Sequence, residues 1–542
     1  MSQASMDGGY AGAASPRPRL DAKPHVAGAL VFFLVLLGAL GFTAFSVLDD
    51  ISKVGETKLA TGTFVLLGLA LLIALGFEFV NGFHDTANAV ATVIYTHSLP
   101  PMVAVVWSGT FNFLGVLTST GAVAYSIVNL LPVELILQVG SGAGYAMIFA
   151  LLIAAIIWNL GTWAFGIPNS SSHALVGSIM GVGLANQFMA PNGSATSGVD
   201  WSQAANVFEA LLFSPICGFV LSALLLLVFK TFIKNKALYS SPEGTRPPPG
   251  WIRAMLIATC TGVSFFHGGN DGQKGMGLIM LILIGAAPTA YALNRAIPES
   301  STLGFIQTAQ TAQAVFKAHS PDVAPPADAA HARDRVGTAL RTKVVNQPDV
   351  YAALSILTGD IASSVKNYGS LHSVPAAATG NVRNDMYLAS DAIRVMGKAP
   401  AGFSADETGK LKALMDALNA GTRFIPTWVK VSVAVALGLG TMVGWKRIVV
   451  TVGERIGKKH LTYAQGASAE IVAMGTIGLA EAYGLPVSTT HILSSGVAGT
   501  MAANGSGLQW GTLKAMALAW VMTLPAAMAI AGCLFVLLRQ VF

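Results

Sequence analysis

LGFEFVNGFHDTANAVAT, residues 75–92, places Asp85 next to a histidine inside an apolar segment. VSFFHGGNDGQKGMG, residues 263–277, repeats the pattern with Asp271 next to an asparagine. An ionised side chain at the centre of a bilayer costs roughly 2.5–3.5 kcal/mol on insertion scales, so two such phrases indicate function rather than chance.

A second polar phrase also occurs twice, as PNSSSH at 168–173 and PVSTTH at 486–491. The sequence separation between the aspartate and the first hydroxyl of this phrase is 85 residues in the first half (Asp85 to Ser170) and 217 in the second (Asp271 to Ser488). The difference nearly equals the 133 residues of a polar stretch at 292–424. The two halves therefore share one spacing, and a duplicated membrane protein with a carboxylate and a hydroxyl cluster in each half is typical of a secondary transporter.

The composition is that of a membrane protein, with 53% hydrophobic and only 11% charged residues and a mean hydropathy of +0.61. Soluble domains carry about 25% charged residues, and a helix needs about 20 apolar residues to cross a bilayer. We therefore predict an all-α polytopic membrane protein with about ten to twelve membrane elements. The predicted long spans are 27–48, 62–80, 102–129, 144–166, 204–229, 253–266, 276–293, 425–445, 463–483 and 511–538, and the shorter elements are 84–97, 168–187 and 488–504.

The charges in the loops predict the orientation. The loop 230–253 and the loop 446–459 are rich in Lys and Arg, whereas loop 188–203 has neither, so the first two should face the cytoplasm and the third the outside. Counting crossings from these loops makes the halves run in opposite senses, as in an inverted-topology repeat, and puts the 292–424 insertion outside.

The predicted organisation has six parts. They are a polar tail 1–26 without a signal peptide, a first membrane half 27–235 with its repeat from about 60, a cytoplasmic linker 236–250, the start of the second half 251–291, a small soluble helical insertion 292–424, and the rest of the second half 425–542. Within the insertion, helices are predicted near 306–318, 350–366 and 405–420, with disorder around 321–330. The three cysteines lie in apolar segments, which argues against a disulfide framework or a metal cluster.

The polar side chains of the acidic phrases fall on one helical face in each half, at spacings of four and three residues. The first face holds Asn81, Asp85 and Asn88, with His84 beside it; the second holds His267, Asp271 and Lys274, with Asn270 adjacent. The glycines around them are expected to interrupt these helices, which would expose backbone groups to ions. The alternative is a buried structural ion-pair cluster.

The hydroxyl phrases put three Ser or Thr residues directly after a proline and before a short small-residue helix. Two helix N-termini approaching from opposite sides would offer N–H groups to an oxyanion. The alternative is that these residues only start helices and let them pack closely. The hydroxyls are Ser170, Ser171, Ser172, Ser488, Thr489 and Thr490.

Three histidines and one glutamate complete the candidates. His173, His491 and His267 are candidates for gating or proton handling, because imidazole changes charge near neutral pH; a single hydrogen bond to a carbonyl is the plain alternative. Glu78 lies two helical turns before Asp85 on about the same face, which makes it an ion-site candidate.

At these residues the chain resembles the inorganic phosphate transporter (Pit) family, in its bacterial low-affinity branch. The similar text is NGFHDTANAVATVIYT, HGGNDGQKGMG, GWKRIVVTVGERIGKK and GLPVSTTHILSSGVAGT, within about 60–541. The resemblance implies a duplicated symporter of the bacterial inner membrane that carries phosphate with protons or sodium. It further implies that a divalent metal–phosphate complex is an alternative cargo, with Mg²⁺ or another divalent metal as co-substrate.

The resemblance also implies roles for the residues. Asp85 and Asp271 correspond to the aspartates tied to coupling cations, with Asn81, His84 and Glu78 as neighbours. The phosphate ligands would be the six hydroxyls, Asn88, Asn270 and Lys274. Two residues depart from the family pattern: His84 stands where Asn is common, and Lys274 stands where the first half has Asn88. We expect a proton-coupled phosphate symporter with no resident cofactor or metal and no nucleic-acid partner; a homodimer is an open alternative.

Two other functions were weighed. A sulfate permease of the same fold would suit the hydroxyl clusters but would need no carboxylate proton acceptor. An intramembrane serine enzyme would need one activated Ser beside a His base, whereas here both are duplicated and no Gly-x-Ser-x-Gly elbow is present. The sequence therefore predicts a transporter and not an enzyme.

Overall fold

A computed structural model describes residues 18, 20, 25–54, 61–137, 139–190, 198–398 and 402–542, without the side chains of 86–88. Over these ranges the chain is helical, and the bridge between Gly457 and Leu508 is the one β contact between described residues. The all-α prediction is therefore confirmed. The polar tail 1–26 lies almost wholly outside the described residues.

The described part of the first half contains eight helices. They are α1 (Val26–Lys53), α2 (Thr61–Tyr95), α3 (Pro101–Thr118), α4 (Ala122–Val128), α5 (Val133–Leu137), α6 (Gly142–Ala164), α7 (Ser171–Phe188) and α8 (Trp201–Phe232). A short 3₁₀ helix, Lys236–Tyr239, follows in the linker.

The remaining helices belong to the second half and to the stretch between its parts. They are α9 (Gly250–Ala286), α10 (Pro288–Tyr291), α11 (Thr302–Ala318), α12 (Ala329–Thr342), α13 (Pro348–Tyr368), α14 (Ala376–Met396), α15 (Ala405–Thr422), α16 (Thr427–Thr441), α17 (Lys446–Glu454), α18 (Tyr463–Ala482), α19 (Thr489–Ala503) and α20 (Trp510–Leu538). A 3₁₀ turn, Glu299–Ser301, precedes α11.

Among the described residues, six helices are long and apolar enough to cross a membrane: α1, α2, α3, α6, α8 and α20. The pair α15–α16, bent by 73°, would make a seventh. This is fewer than the ten to twelve predicted elements, because α16 and α19 have only 15 residues and α9 carries many polar side chains. On α1, α8 and α20, many large apolar side chains are exposed, among them Leu34, Phe213 and Val521. Exposed apolar surface of this extent indicates contact with lipid.

The predicted interruptions of the acidic helices are wrong. Segments 62–80 and 84–97 form one helix, α2, and 253–266 and 276–293 form α9 with a short continuation in α10. The glycines serve close packing instead: a Cβ at Gly82 would lie 2.2 Å from the carbonyl oxygen of Leu437 on α16, and one at Gly268 would lie 2.1 Å from that of Asn112 on α3. The breaks occur elsewhere, between α3 and α4 within 102–129 and directly before α7 and α19.

Helices of each half pack against helices of the other half. The acidic helix α2 packs against α16 and α9 packs against α3, while α7 packs against α20 and α19 against α8. Both long partners contain an internal proline, Pro215 in α8 and Pro525 in α20. The helices that carry the polar phrases of one half therefore have packing partners in the other half.

Helices α11–α15 surround a hydrophobic core of their own, with Phe316, Val336, Leu354 and Leu414 at its centre. Three of these helices cover the predicted stretches, while α12 and α14 were not predicted, since charged and other polar side chains interrupt their apolar residues. Residues 321–328 contain no regular helix or strand; the prediction of disorder there is untested.

Candidate functional site

Each hydroxyl phrase begins after the same type of helix ending. Gly166 and Gly484 both have φ of +66°, a left-handed conformation that glycine adopts without strain. The amide of Ile167 donates to the carbonyl of Thr162 (3.1 Å) and that of Leu485 to Ala480 (2.8 Å), the long bond of a Schellman-type cap. The proline two residues after each glycine then leads the chain into the next helix.

The first hydroxyl of each phrase is an N-cap. The Oγ of Ser170 accepts the amide of His173 (3.2 Å) at the start of α7, and the Oγ of Ser488 accepts the amide of His491 (3.1 Å) at the start of α19. A hydroxyl that accepts one bond retains its proton as a donor. Both side chains are buried, so this proton faces the protein interior.

Asp85 joins the hydroxyl phrases of both halves. It accepts hydrogen bonds from Ser171 Oγ and from Thr490 Oγ1, the latter at 2.8 Å. Ser171 Oγ also lies 2.6 Å from Asn81 Oδ1. The carboxylate on α2 therefore touches the start of α7 and the start of α19 together.

Lys274 makes the corresponding link from α9. Its Nζ lies 2.7 Å from Asp271 Oδ1 and donates to Ser172 Oγ at 2.5 Å, and Ser172 donates in turn to the carbonyl of Val487 at 2.8 Å. Lys274 is fully buried and Asp271 is 1% exposed. A buried ion pair on α9 is thus linked to the first half by the hydrogen bond to Ser172.

Asp85, His267 and Asp271 bring ligand atoms within 4.8 Å of one another. Two ionised carboxylates at that separation repel by about 3 kcal/mol at an effective dielectric constant of 20. A proton or a cation between them would relieve this repulsion. No metal ligands were predicted from the sequence, but these three side chains form a donor set of two carboxylates and one imidazole.

A histidine stands beside each aspartate. His84 Nδ1 lies 3.1 Å from Asp85 Oδ1, and its Nε2 lies 3.3 Å from Thr162 Oγ1. His267 Nε2 lies 3.6 Å from Asp271 Oδ2, and its Nδ1 lies 2.8 Å from Asn112 Oδ1. His267, predicted as a gating residue, therefore belongs to the aspartate cluster.

His173 and His491 lie against each other, with ring centroids 4.7 Å apart, and Trp520 covers His491 at 4.1 Å. Among the described residues, His173 Nδ1 and His491 Nε2 are buried without a hydrogen-bond partner. The two phrase-ending histidines thus meet where α7 and α19 begin.

The other predicted residues lie at the edge of this cluster. The amide group of Asn270 donates to the carbonyl of Leu485 at 3.1 Å, and so holds the chain before the second hydroxyl phrase. Glu78 is fully buried, lies 3.4 Å from Asn81 Nδ2, and packs against α9 at Gly275. Thr489 Oγ1 is buried with no partner among the described residues. The predicted role of Asn88 cannot be placed, since its side chain lies outside the described residues.

Sequence reasoning missed several buried polar partners. Thr162 and Asn112 fix the two histidines, and Thr92 and Thr259 both donate to Glu470. The signal available was a single polar residue within an apolar helix, which is also typical of ordinary helix packing.

Residues 81–531 match the model of the family described as "Phosphate transporter family". The chain is 42% identical over 491 residues to the low-affinity inorganic phosphate transporter PitA of Escherichia coli K12, with 88% of this chain and 97% of the relative covered. It is 40% identical over 504 residues to PitB of the same organism, with 88% and 98% covered.

A solved structure titled "The sodium-dependent phosphate transporter" covers 88% of this chain and all of its own chain, at 19% identity and a TM-score of 0.47. A likeness this weak does not bear on the coupling ion. The relatives at 40% identity or more are named as transporters and not as enzymes, in agreement with the prediction. By the family match and by these relatives, the chain is a multi-pass membrane protein that belongs to the phosphate transporter family.

Proposed function

We propose that this protein imports inorganic phosphate across the bacterial inner membrane in symport with protons, at a site between its two halves. The observation that carries the proposal is the convergence at Asp85, which accepts hydrogen bonds from Ser171 of the first hydroxyl phrase and Thr490 of the second. The four polar phrases, far apart in sequence, meet at one buried place.

Phosphate would bind where the starts of α7 and α19 face each other. Hydroxyl donors from both phrases and the ammonium group of Lys274 suit a tetrahedral oxyanion, and the N-terminal ends of the two helices add positive potential. Most of the described site residues are less than a twentieth exposed, and His173 is 8% exposed. Phosphate therefore requires a relative movement of the halves to enter and leave, as in alternating access.

Protons are favoured over sodium by the histidines beside the two aspartates. Sodium, a hard cation, is coordinated by oxygen ligands, whereas an imidazole nitrogen readily takes up a proton near neutral pH. His84 and His267 place ring nitrogens 3.1 Å from Asp85 and 3.6 Å from Asp271. The donor set Asp85, His267 and Asp271 also suits a divalent metal, which supports a metal–phosphate complex as an alternative cargo.

We further propose that the halves are inverted-topology repeats and that 292–424 is a soluble domain on the outside. The exchanged packing of α2 with α16 and α9 with α3, and of α7 with α20 and α19 with α8, supports the repeat. The side of the insertion is supported by Asp200, in a region of the chain without Lys or Arg, whose carboxylate lies 3.4 Å from both Lys343 and Arg394 of the insertion.

The first test is uptake of ³²P-phosphate by proteoliposomes of the purified chain in sodium-free buffer, with an inward proton gradient and with or without Mg²⁺. Uptake driven by protons supports the proposal, and stimulation by Mg²⁺ supports the metal–phosphate cargo. Uptake that begins only when sodium is added would reassign the two aspartates to sodium. No phosphate uptake with either cation would refute the proposal and favour sulfate, which the same vesicles can test directly.

The site is tested by Asp271→Asn and Ser488→Ala, each expected to abolish uptake while the protein remains in the membrane. Asp349→Asn, in an ion pair with Arg335 on the partly exposed surface of the insertion, is the matched control and should be silent. Transport at the wild-type rate by either site variant would overturn the assignment. Asp85→Asn distinguishes phosphate from sulfate as the transported anion, since a sulfate site would tolerate loss of the carboxylate.

A further inference from the structure

We propose that the protein has a second oxyanion site, formed by Arg383, Arg423 and Tyr125, where the insertion meets the first half. This inference rests on the proposed function, because it places a phosphate-capturing site on the outer approach to the buried site. Its chemistry is that of a phosphate group, and we assign inorganic phosphate as the ligand.

Arg383 and Arg423 are cations without counter-ions. Arg383 is 6% exposed, and neither guanidinium lies within 4.0 Å of a carboxylate in the described part of the chain. The Nε of Arg383 and the Nη2 of Arg423 are buried with no hydrogen-bond partner among the described residues. A buried charge left unpaired is costly, so an anion that accepts these bonds would stabilise the arrangement.

Each of the two arginines lies over the ring of a tyrosine. The Cζ of Arg383 lies 5.2 Å from the ring centroid of Tyr387, and that of Arg423 lies 5.7 Å from the ring centroid of Tyr125 on α4. The hydroxyl of Tyr125 is likewise buried without a partner in the described ranges. Three donor groups without a partner among the described residues, two of them guanidinium N–H groups, suit the several oxygens of a phosphate.

The electrostatics agree with this arrangement. Burial lowers the pKa of the Arg383 guanidinium to about 10, and the positive charge of Arg423 adds to that lowering. Tyr387 lies in the field of Arg383, Arg394 and Arg423 and of a single carboxylate, Asp391. Since Arg394 is paired with that carboxylate at 2.7 Å, positive charge remains in excess.

A cavity of about 200 Å³ leads to Tyr387 from the surface. Its wall carries Lys343, Arg394 and Lys398 against Asp200 and Asp391, so it too has more cations than carboxylates. On α14, Arg383, Tyr387, Asp391 and Arg394 follow one another at spacings of four, four and three and so share one face. This face connects the cavity with the unpaired arginines.

The new site lies next to the helix that carries Lys274. The amide of Val123 on α4 donates to Gln273 Oε1 at 2.9 Å, one residue before Lys274, and Gly277 packs against the carbonyl of Ala124. Tyr125 follows directly on α4. An anion held by Tyr125 and the two arginines is therefore one short helix away from the helix of the proposed transport site.

The kinetic test measures phosphate uptake against phosphate concentration for Arg383→Gln and Arg423→Gln, with Arg335→Gln in the surface pair of the insertion as control. Loss of one charge-assisted bond to phosphate should raise the half-saturating concentration roughly five- to tenfold and change the maximum rate little. Arg423→Lys, which keeps the charge, should restore most of the affinity. Unchanged half-saturation in both Gln variants that reach the membrane would overturn the proposal.

Because Arg383 also donates to the carbonyl of Ile136 at 3.2 Å, its variant alone could fail by misfolding. Arg423 has no side-chain hydrogen bond among the described residues, so Arg423→Gln decides the outcome. A structural defect would lower the amount of protein or the maximum rate and leave the half-saturating concentration unchanged.

The binding test does not depend on transport. In phospholipid-free detergent, inorganic phosphate should raise the melting temperature of the full-length Asp271→Asn variant, and adding Arg423→Gln should make this rise smaller. A rise of unchanged size in the double variant would overturn the proposal. A rise that appears only with added phospholipid would assign the site to a lipid headgroup and overturn our assignment, as would no rise at all. If the wild type transports no phosphate but this rise is present, the proposed function fails and the oxyanion site stands.

Discussion

The ion pair of Lys274 and Asp271 permits a test that separates stability from transport. Both side chains are at most 1% exposed, and their charged atoms lie 2.7 Å apart. Lys274→Met removes the cation and leaves Asp271 buried, with His267 at 3.6 Å and a carboxylate oxygen of Asp85 within 4.8 Å. Breaking a buried pair in this way costs about 3–5 kcal/mol. The unfolding equilibrium should therefore shift by roughly two to four powers of ten.

The double variant Asp271→Asn/Lys274→Met should regain most of this loss, since replacing both members of a buried pair is often nearly neutral. Both variants should fail to take up phosphate. Stability is measured by reversible unfolding in mixed detergent, and uptake in proteoliposomes. Lys410→Met, which breaks the exposed pair of Lys410 with Asp406, is the control and should change neither quantity.

Two outcomes would refute this reasoning. Wild-type stability of Lys274→Met would mean that the pair does not compensate a buried charge. Wild-type uptake by the double variant would mean that the pair is structural only, which is the alternative interpretation of these residues from the sequence.

Three further changes test other parts of the structure. Gly82→Ala and Gly268→Ala should each lower the stability measured by thermal unfolding, because the new Cβ would lie 2.2 Å and 2.1 Å, respectively, from a backbone oxygen of a neighbouring helix. The control is Gly76→Ala, whose Cβ would have no atom within 4 Å and which should stabilise α2 by about 0.5–1 kcal/mol. Thr490→Val keeps the side-chain shape but removes the hydroxyl that donates to Asp85, so phosphate uptake should fall at least tenfold, and unchanged uptake would exclude this bond from the site. Hydrogen bonds from the amide of Ser404 and from His319 lower the pKa of Glu407 from 4.5 to about 2. The capping box of α15 is therefore fully stabilising above pH 4.5, and its contribution is lost as the pH falls towards 2. Glu407→Gln should speed amide exchange at Ala405–Thr408 at neutral pH, and this difference from wild type should shrink below pH 4.5.

The site could be predicted from the sequence more fully than the course of its helices. Repetition of Asp85 and Asp271, and of the hydroxyl phrases, identified most of the side chains that meet. The glycines were misinterpreted, because in a sequence a glycine that lets two backbones touch is indistinguishable from one that ends a helix. Gly82 and Gly268 allow close approach inside continuous helices, whereas Gly166 and Gly484 have positive φ and end theirs.

Contacts between distant residues could not be predicted. Nothing in the spacing of Lys274 indicates that it reaches Ser172 of the other half, or that Asn112 and Thr162 hold the two histidines. Likewise, Arg383 and Arg423 lie in a segment of ordinary soluble composition, and only the fold shows that their charges are unpaired.

The hydrogen bonds of Asp85 offer a physical basis for coupling. Ser171 and Thr490 both direct their hydroxyl protons to this carboxylate, and a phosphate at the starts of α7 and α19 needs the same protons. Each hydroxyl has one proton to donate, so the carboxylate and the phosphate compete. A proton bound by Asp85 removes its charge and weakens it as an acceptor, which frees the two hydroxyls for phosphate. Binding of the proton and binding of the anion should therefore favour each other, and by linkage phosphate should make this carboxyl group easier to protonate.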